Sequence, residues 1–391
     1  MKRTIPFNRP PISDLGHELT MVKRAMEHSK LSGDGPFSKA CEEWFEKQTQ
    51  SKRCLMTPSC THALEEAALL LDIKPGDEVI MPSYTFVSTA NAFALRGAKI
   101  KFVDIRPDNL NINENLIEQA ITDRTKAIVP VHYAGNACEM ETIMNIAYSY
   151  NIAVVEDAAQ GVMANYQGAA LGSIGDLGTF SFHETKNFTS GGEGGLLLVN
   201  RSDLVGRSEI MREKGTNRSK FLRGDVDKYT WVDLGSSYLP GELTSAFLYG
   251  QIEAIEDIHQ RRLEAWNYYH QELSSSSYFD GERRYLPSPE SGHNAHLYFL
   301  MLESQSERDE FIQFMKDNHI GAPSHYVPLH SSPAGQKFGE MVTEDHWTTN
   351  LANRLVRLPL FYQISREEQN LVLEKVESFL SQRQGSIKIA A

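Results

Sequence analysis

The chain has 391 residues, 41% of them hydrophobic and 23% charged, and its formal net charge at pH 7 is −12. This composition is typical of a soluble globular protein, and the acidic balance argues against general nucleic-acid binding, which depends on positive charge meeting phosphate. No apolar run reaches the roughly 18 residues of a membrane helix, and the N-terminus lacks the apolar core of a signal peptide. We therefore expect a cytoplasmic protein with neither a membrane nor a nucleic-acid partner.

Short apolar runs alternate with helical patterns between residues 52 and 200. Helices are predicted after the first strand, over residues 83–97, and near residues 115–122 and 139–150. Strands are predicted at residues 52–56, 78–82, 99–105, 126–133, 152–157, 178–184 and 194–200. This alternation predicts a large α/β domain with a mostly parallel sheet, covered by helices on both faces. Ligands of such sheets bind beyond the carboxyl ends of the strands.

The C-terminal part of the chain has a different pattern. A long helical pattern runs from about residue 242 to 274 and is followed by a serine-rich loop. Beyond it lie the apolar run HLYFLML, a helix near residues 306–318, the segment HYVPLH and a helix near residues 365–382. We therefore predict a large domain over residues 1–255 and a smaller α+β domain over residues 256–391.

Several common cofactor and metal motifs are absent. There is no GxxxxGK[ST] loop and no GxGxxG after a strand, and HETKN is not HExxH. His325 and His330 are five residues apart in a segment whose prolines break any helix. No two cysteines have CxxC spacing; they are Cys41, Cys54, Cys60 and Cys138. We therefore predict free thiols and no metal site.

One set of residues fits pyridoxal phosphate (PLP). This cofactor requires a lysine for a Schiff base, an acid at the ring nitrogen, a phosphate cradle and a flat side chain against the ring. Lys186 follows a strand and precedes a glycine cluster, and Asp157 ends the apolar run IAVVED. Residues 59–61 precede a helix whose N–H groups suit a phosphate, and Phe86 can stack on the ring. Each signal alone has an ordinary explanation as a cap, an ion pair or a core residue, but their joint order is more specific.

A family resemblance rests on the segments MPSYTFVSTANAF, PVHYAG, VVEDAAQ, FSFHETKN…GGEGG and RLPLF. These segments, spread over nearly the whole chain, resemble those of the nucleotide-sugar aminotransferases of the DegT type. The resemblance implies the aspartate aminotransferase (type I) fold of PLP-dependent transferases, with a seven-stranded sheet in the large domain. It also implies a homodimer with the active site at the subunit interface.

The family's roles carry over position by position. Lys186 matches the catalytic Schiff-base lysine and Asp157 the partner of the ring nitrogen. Gln160 matches the residue beside the ring hydroxyl and Phe86 the stacking aromatic. Cys60, Thr61 and Ser181 match phosphate contacts, and Ser59 belongs to the phosphate cradle predicted at residues 59–61. Some relatives also place an asparagine of the neighbouring subunit on the phosphate; the matching position here is Leu239, for which Ser236 or Ser237 can substitute.

Longer runs such as GDEVIMPSYTFVSTANAF and REKGTNRS resemble the subgroup of dTDP-4-amino-4,6-dideoxygalactose transaminases. This resemblance implies transfer of the amino group of L-glutamate to C4 of dTDP-4-keto-6-deoxy-D-glucose, for a surface polysaccharide of the enterobacterial-common-antigen type. The substrate diphosphate needs positive charge, which we expect from Arg212, Lys214, Arg218 and Lys220. The sugar hydroxyls are expected to meet His325, Tyr326 and His330.

Three alternatives remain. The substrate can be another nucleotide keto sugar, with a gluco product, a 3-keto group or a GDP carrier. A dehydratase of the same fold carries a histidine in place of the lysine, so Lys186 argues against it. A PLP-binding regulator without turnover usually carries a DNA-binding extension, and no basic helix-turn-helix is evident.

Overall fold

The computed structural model describes residues 4–28, 30–279, 284–287 and 292–390, the last seven of these by their backbone only. The helices are α1 (His17–Glu27), α2 (Pro36–Thr49), α3 (Cys60–Leu70), α4 (Val87–Ala94), α5 (Met140–Tyr150), α6 (Ser202–Arg212), α7 (Arg218–Arg223), α8 (Glu242–Glu253), α9 (Ile255–Ser274), α10 (Gln305–Asp317), α11 (Pro333–Phe338), α12 (Thr348–Arg354) and α13 (Arg366–Ala390). The strands are β1 (Arg53–Thr57), β2 (Glu78–Pro82), β3 (Lys99–Val103), β4 (Thr125–Ile128), β5 (Ala153–Asp157), β6 (Asn165–Tyr166), β7 (Ala169–Ala170), β8 (Leu177–Ser181), β9 (Gly195–Val199), β10 (Tyr298–Met301), β11 (Gly339–Met341) and β12 (Leu355–Leu358).

The main sheet has eight strands in the order β1-β9-β8-β5-β4-β2-β3-β11. Only β9 runs against its neighbours in this sheet, and the pairs from β8 to β11 are parallel. The predicted α/β fold with a mostly parallel sheet is confirmed, and all seven predicted strands belong to it. The eighth strand, β11, extends the sheet beside β3. Its three residues are too few to show an alternating pattern, so the sequence did not predict it.

Both faces of this sheet are buried. Leu55 and Leu197 face a core that they share with Leu64 of α3. Their neighbours along the strands, Met56 and Leu196, face the opposite core with residues of α2 and α8. The period of two follows from strand geometry, and burial of both faces explains why the strands read as continuous apolar runs.

A second, antiparallel sheet pairs β10 with β12. Its inward side chains share a core with α9, α10 and α13, and Ile5 also packs there. The helix predicted over residues 242–274 is divided at Ala254, whose φ of −108° and ψ of 11° break the helix between α8 and α9. The predicted domain boundary falls beside this break and stays a prediction. The helix predicted near residues 115–122 is instead a pair of 3₁₀ turns, Glu114–Leu116 and Glu118–Ala120.

Of the helices described, none offers an apolar stretch that would span a bilayer. All four cysteines are buried and free. Within the described ranges, histidine, cysteine and carboxylate side chains form no group of three that is suited to a metal ion.

Candidate active site

A cavity of about 550 Å³ lies beyond the carboxyl ends of β5 and β8, against the N-termini of α3 and α4. Residues of β12 and of the segment that follows α10 close the other side. The predicted site residues that line this cavity are Ser59, Cys60, Thr61, Phe86, Asp157, Gln160, Ser181, Lys186, His325 and Tyr326. Side chains that are as far as 267 residues apart in the sequence therefore meet at one place.

Lys186 lies in the loop after β8 and is half-buried against the cavity. Its backbone N–H donates to the carbonyl of His183 at 2.9 Å, which fixes the loop. Its Nζ makes no hydrogen bond to the residues that the structure describes. Burial lowers the pKa of Lys186, and the nearby charge of Asp157 opposes this shift only in part. A lowered pKa increases the fraction of neutral amine, which is the nucleophilic form.

Asp157 ends β5 and is buried. Thr89 Oγ1 donates to its Oδ2 at 2.7 Å, and the N–H of Ala159 donates to its Oδ1 at 3.1 Å. Thr89 is itself held by a 2.8 Å hydrogen bond to Thr85 Oγ1. Each carboxylate oxygen therefore has a donor, as a buried charged group requires, and the carboxylate is held rigidly at the cavity wall.

The N-terminus of α3 forms a cradle at the cavity. Ser59 caps the helix, because its Oγ accepts from the N–H of His62 at 3.3 Å. The first N–H groups of a helix have no partner within it, and they carry the positive end of its dipole. Gly195 of β9 lies directly against this turn: a Cβ there would be 2.3 Å from the carbonyl carbon of Ser59 and 2.4 Å from the nitrogen of Cys60. The cradle therefore needs a glycine at this position.

Gln160 and Tyr326 form a directed pair of hydrogen bonds. The N–H of Ala134 donates to Gln160 Oε1 at 2.6 Å, which orients the amide. Gln160 Nε2 then donates to the Tyr326 hydroxyl oxygen at 2.9 Å. Because the tyrosine oxygen accepts this bond, its own O–H remains able to donate to a molecule in the cavity.

His325 and Phe86 complete the aromatic lining. The ring of His325 stacks on Tyr326 at 3.7 Å, and its Nδ1 lies 2.8 Å from the Tyr133 hydroxyl. Burial lowers the pKa of His325, so the imidazole is neutral near pH 7. The ring centroids of Phe86 and Tyr326 are 6.3 Å apart, and Phe86 is 55% exposed. A flat apolar ring with an open face is suited to stacking.

The structure does not bring the predicted basic residues to this cavity. Arg212 is buried and forms ion pairs with Glu42 and with Asp34, the latter at 3.3 Å. These partners lie more than 160 residues earlier in the chain, and their placement argues against the predicted contact of Arg212 with substrate.

Two of the other predicted cations are also occupied within the chain. Arg218 and Lys214 both pair with Glu213, at 2.6 and 3.3 Å. Lys220 lies on α7, exposed and outside the cavity lining. Ser236, Ser237 and Leu239 do not line the cavity either, so their contact across a subunit interface stays a prediction.

His330, predicted to meet the sugar, is used in the fold instead. Its Nδ1 lies 2.7 Å from Ser83 Oγ, and its Nε2 lies 3.2 Å from a carboxylate oxygen of Asp345. It is not among the residues that line the cavity. Its effect on the site is indirect, because it holds the segment that carries His325 and Tyr326 beside the end of β2.

Sequence reasoning missed His296, which also lines the cavity. Asn187 donates from Nδ2 to the carbonyl of Asn294 at 2.8 Å, so its Oδ1 is free to accept a hydrogen bond. His296 Nδ1 lies 2.9 Å from that oxygen and must therefore carry the proton. Burial lowers the pKa of His296, so the ring is neutral and its Nε2 can accept a hydrogen bond in the cavity that Lys186 also lines. The one signal in the sequence for this hydrogen bond is that Asn187 directly follows Lys186.

Arg357 was also missed as a site residue, although it belongs to the quoted run RLPLF. It lines the cavity from β12, together with Phe7 and Asn8 of the N-terminal segment. Local pattern does not predict these residues, because they reach the cavity from segments that are far from Lys186 in the sequence.

The lining fits PLP group by group. The amine of Lys186, whose pKa is lowered, and the buried carboxylate of Asp157 face one cavity. The N-terminus of α3 faces it too, and a Cβ at position 195 would collide with that N-terminus. Phe86 adds an open aromatic face, and Gln160 and Tyr326 add hydrogen-bond donors and acceptors at the rim. These are the groups that the cofactor's aldehyde, ring nitrogen, phosphate and ring face require.

Comparison with known proteins agrees with this chemistry. The chain matches the DegT/DnrJ/EryC1/StrS aminotransferase family over residues 14–377. It is 32% identical over 387 residues to the spore coat polysaccharide biosynthesis protein SpsC of Bacillus subtilis, covering 96% of this chain and 97% of that protein.

Solved structures of related chains superimpose closely. The aminotransferase TlmJ of Streptoalloteichus hindustanus has a TM-score of 0.87 at 26% identity, over 97% of this chain and 100% of that one. Spr1654 of Streptococcus pneumoniae in its PLP form has a TM-score of 0.84 at 26% identity, over 97% of this chain and 99% of that one. The cofactor is therefore PLP, bound in a type I fold. The chain belongs to the DegT/DnrJ/EryC1/StrS aminotransferase family.

Proposed function

We propose that the protein is a cytoplasmic transaminase of a surface-polysaccharide pathway. It transfers the amino group of L-glutamate to C4 of dTDP-4-keto-6-deoxy-D-glucose and forms dTDP-4-amino-4,6-dideoxy-D-galactose. The observation that carries the transaminase assignment is the meeting of Lys186, Asp157 and the N-terminus of α3 in one cavity. The choice of sugar rests on the resemblance of the longer sequence runs, and the name of SpsC supports a polysaccharide pathway.

Lys186 and Asp157 carry the chemistry in this proposal. PLP, when bound, supplies an electron sink that stabilises negative charge on the substrate carbon. Lys186 would hold the cofactor covalently and, once released by the incoming amine, would carry a proton to and from that carbon. Asp157, fixed by Thr89 and Ala159, would keep the ring nitrogen protonated.

The remaining cofactor residues hold and orient the group. The first turn of α3, at Cys60 and Thr61, would bind the phosphate together with Ser59 and Ser181. Phe86 would cover one face of the ring. Gln160 would lie beside the ring hydroxyl, because its amide is already oriented by Ala134.

The sugar would enter from the side of Tyr326. The Tyr326 hydroxyl has its proton free for a substrate oxygen, and neutral His325 stacks behind it. Both residues are therefore assigned to binding the hexose. His330 supports them through Ser83 and would not contact substrate.

A homodimer would supply the positive charge for the diphosphate. Within one chain Lys214, Arg218 and Lys220 lie outside the cavity lining, so they would reach it only from a partner subunit. The segment that follows exposes large apolar side chains, among them Trp231 at 74%, which is unusual for a surface that stays in water. We also propose the domain division at residues 255 and 256, beside the break at Ala254.

A substrate panel tests the proposal. The purified protein is incubated with L-glutamate and PLP and with dTDP-4-keto-6-deoxyglucose, its 3-keto isomer or a GDP-linked 4-keto sugar. NMR of the product gives the configuration at C4. We expect the 4-amino galacto product from the first sugar. Turnover of another sugar without the first would remove the specific substrate and keep the transaminase; a gluco product would remove the stereochemical assignment.

A further inference from the structure

His296 is held in the wall of the cavity by the carbonyl groups around it. Arg262 Nη2 donates to the carbonyls of Ala295 and His296, at 3.0 and 2.7 Å. Trp266 Nε1 donates to the carbonyl of Leu297 at 3.2 Å. Both donors lie on α9, so three successive carbonyl groups are fixed against one helix. The backbone that carries the imidazole is therefore in place before any ligand binds.

The ring of His296 is oriented by the residue that follows Lys186 in the chain. Its Nδ1 donates to Oδ1 of Asn187 at 2.9 Å. This bond uses the proton of the neutral ring, so Nε2 is the basic nitrogen. Nε2 makes no hydrogen bond to the residues that the structure describes. His296 and Lys186 line the cavity together, and both also line a smaller space of about 10 Å³.

The charges around His296 keep Nε2 unprotonated. Burial lowers the pKa of the imidazole. Four nearby groups that carry or can take up positive charge lower it further: Lys186, Arg262, His325 and Arg357. All four act in the same direction, so the ring stays a neutral hydrogen-bond acceptor near pH 7. The effect of Lys186 on this pKa also means that the two side chains are close enough for their charges to interact.

The amine of Lys186 needs a hydrogen-bond acceptor at one stage of the proposed reaction. When Lys186 takes the proton from the substrate carbon, its amine becomes an ammonium group with three N–H donors inside the cavity. A charge removed from water without hydrogen-bond partners is costly, and Asp157 already has a donor for each oxygen. A neutral imidazole of lowered pKa can accept from the ammonium group without taking its proton.

We propose that His296 is a positioning residue for Lys186, and that its Nε2 accepts a hydrogen bond from the protonated amine. The assignment rests on the transaminase function proposed above and adds the group that steadies the lysine while it carries the proton. The flexible four-carbon stem of Lys186 lets the amine turn to this acceptor. Asn187 contributes indirectly, because its Oδ1 fixes which ring nitrogen is free.

Labelling with acetic anhydride tests the assignment in the full chain loaded with pyridoxamine phosphate, a form of the cofactor that leaves Lys186 free. The extent of labelling at each pH, read by mass spectrometry after digestion, gives the pKa of Lys186, and Lys99 is the control within each sample. His296→Asn keeps an amide donor near the position of Nδ1 and loses the acceptor. His296→Gln places an amide oxygen near the position of Nε2. The control variant is His270→Asn, because His270 stacks on Trp266 with ring centroids 5.0 Å apart, outside the cavity lining.

We expect His296→Asn to lower the pKa of Lys186 by about one unit, a tenfold change in the protonation equilibrium, because an acceptor favours the charged form. The same variant loaded with PLP should remove the α-proton of L-glutamate about 10-fold more slowly, with a larger isotope effect when that position carries deuterium. His296→Gln should restore most of both values, and His270→Asn should behave like the wild type. An unchanged melting temperature and cofactor spectrum show that a variant is folded and loaded.

Two labelling results would overturn the assignment. One is a pKa of Lys186 that does not fall in folded His296→Asn. The other is an equal fall in His296→Asn and His296→Gln, which would assign the effect to packing and not to the acceptor.

A measurement on the wild type decides the question if His296→Asn does not fold. With histidine labelled by nitrogen-15, the NMR signal of His296 Nε2 should move as Lys186 titrates and should stay fixed over the same pH range in Lys186→Met. A signal that does not respond to Lys186 would overturn the assignment. Failure of the wild type to bind either form of the cofactor would instead refute the proposed function, and this outcome is visible before any variant is made.

Discussion

Gly195 gives a direct test of the phosphate cradle. Its φ is not in the left-handed region, so alanine is not excluded by backbone conformation. Alanine is excluded by space: its Cβ would lie 2.3 to 2.5 Å from the backbone of Ser59 and Cys60, whereas real Cβ contacts essentially never fall below 3.0 Å. The start of α3 and the strand β9 must therefore separate by several tenths of an ångström or more. Overpacking of this kind costs about 1–3 kcal/mol.

The assay compares Gly195→Ala with Gly206→Ala. Gly206 lies in α6, and a Cβ there meets nothing within 4 Å, so alanine should stabilise the protein by about 0.4–1 kcal/mol. Urea unfolding of the cofactor-free proteins measures the difference in stability, and titration with PLP measures the affinity. We expect Gly195→Ala to lose both stability and cofactor affinity, and Gly206→Ala to lose neither. If Gly195→Ala binds PLP like the wild type, the cradle is not where we place it.

Three further predictions concern buried polar groups. Thr89→Val removes the donor to Asp157 Oδ2 and should lower the free energy of unfolding in urea by about 1.5–3 kcal/mol. Thr89→Ser keeps a hydroxyl donor and should retain most of this stability. Equal losses in both variants would mean that packing and not the hydrogen bond is responsible. Burial lowers the pKa of Lys186, so the protonated amine destabilises the folded state at neutral pH. Cofactor-free Lys186→Met should therefore be more stable than the wild type. This difference in stability should shrink as the pH rises towards about 10.4, the pKa of an exposed lysine. A margin that grows with pH would contradict this. Burial raises the pKa of Glu66 to about 8, so the folded chain keeps a proton that the unfolded chain releases near about pH 4.3. The wild type should therefore lose stability relative to Glu66→Gln from about pH 5 to pH 8. Parallel profiles of stability against pH for the two proteins would refute the raised pKa.

The cofactor residues were predictable because they lie at the end of a strand, in the loop that follows it or at the start of a helix. Asp157 and Lys186 follow apolar runs in the order that an α/β sheet converts into spatial neighbours. The strands were predictable for the same reason, since burial on both faces makes them continuous apolar segments. The structure places these residues in one cavity; their individual roles stay predictions.

The substrate side was predicted less well, because its contacts join distant parts of the chain. Arg212 looked like a free cation in a basic stretch, but its partners Glu42 and Asp34 precede it by more than 160 residues. Arg357 entered the sequence analysis only within the run RLPLF, and the fold places it in the same cavity as Lys186. Neither the burial of Arg212 nor the position of Arg357 in the cavity is indicated by the neighbouring residues in the sequence.

Covalent trapping of the cofactor identifies the lysine that binds it. The purified protein is loaded with PLP, reduced with borohydride, digested and analysed by mass spectrometry to find the lysine that carries the pyridoxyl group. Lys99, which pairs with Glu340 at the surface, provides an internal control. We expect a single modified lysine, Lys186, and loss of the modification in Lys186→Ala. Modification at another lysine, or an unchanged yield in Lys186→Ala, would contradict it.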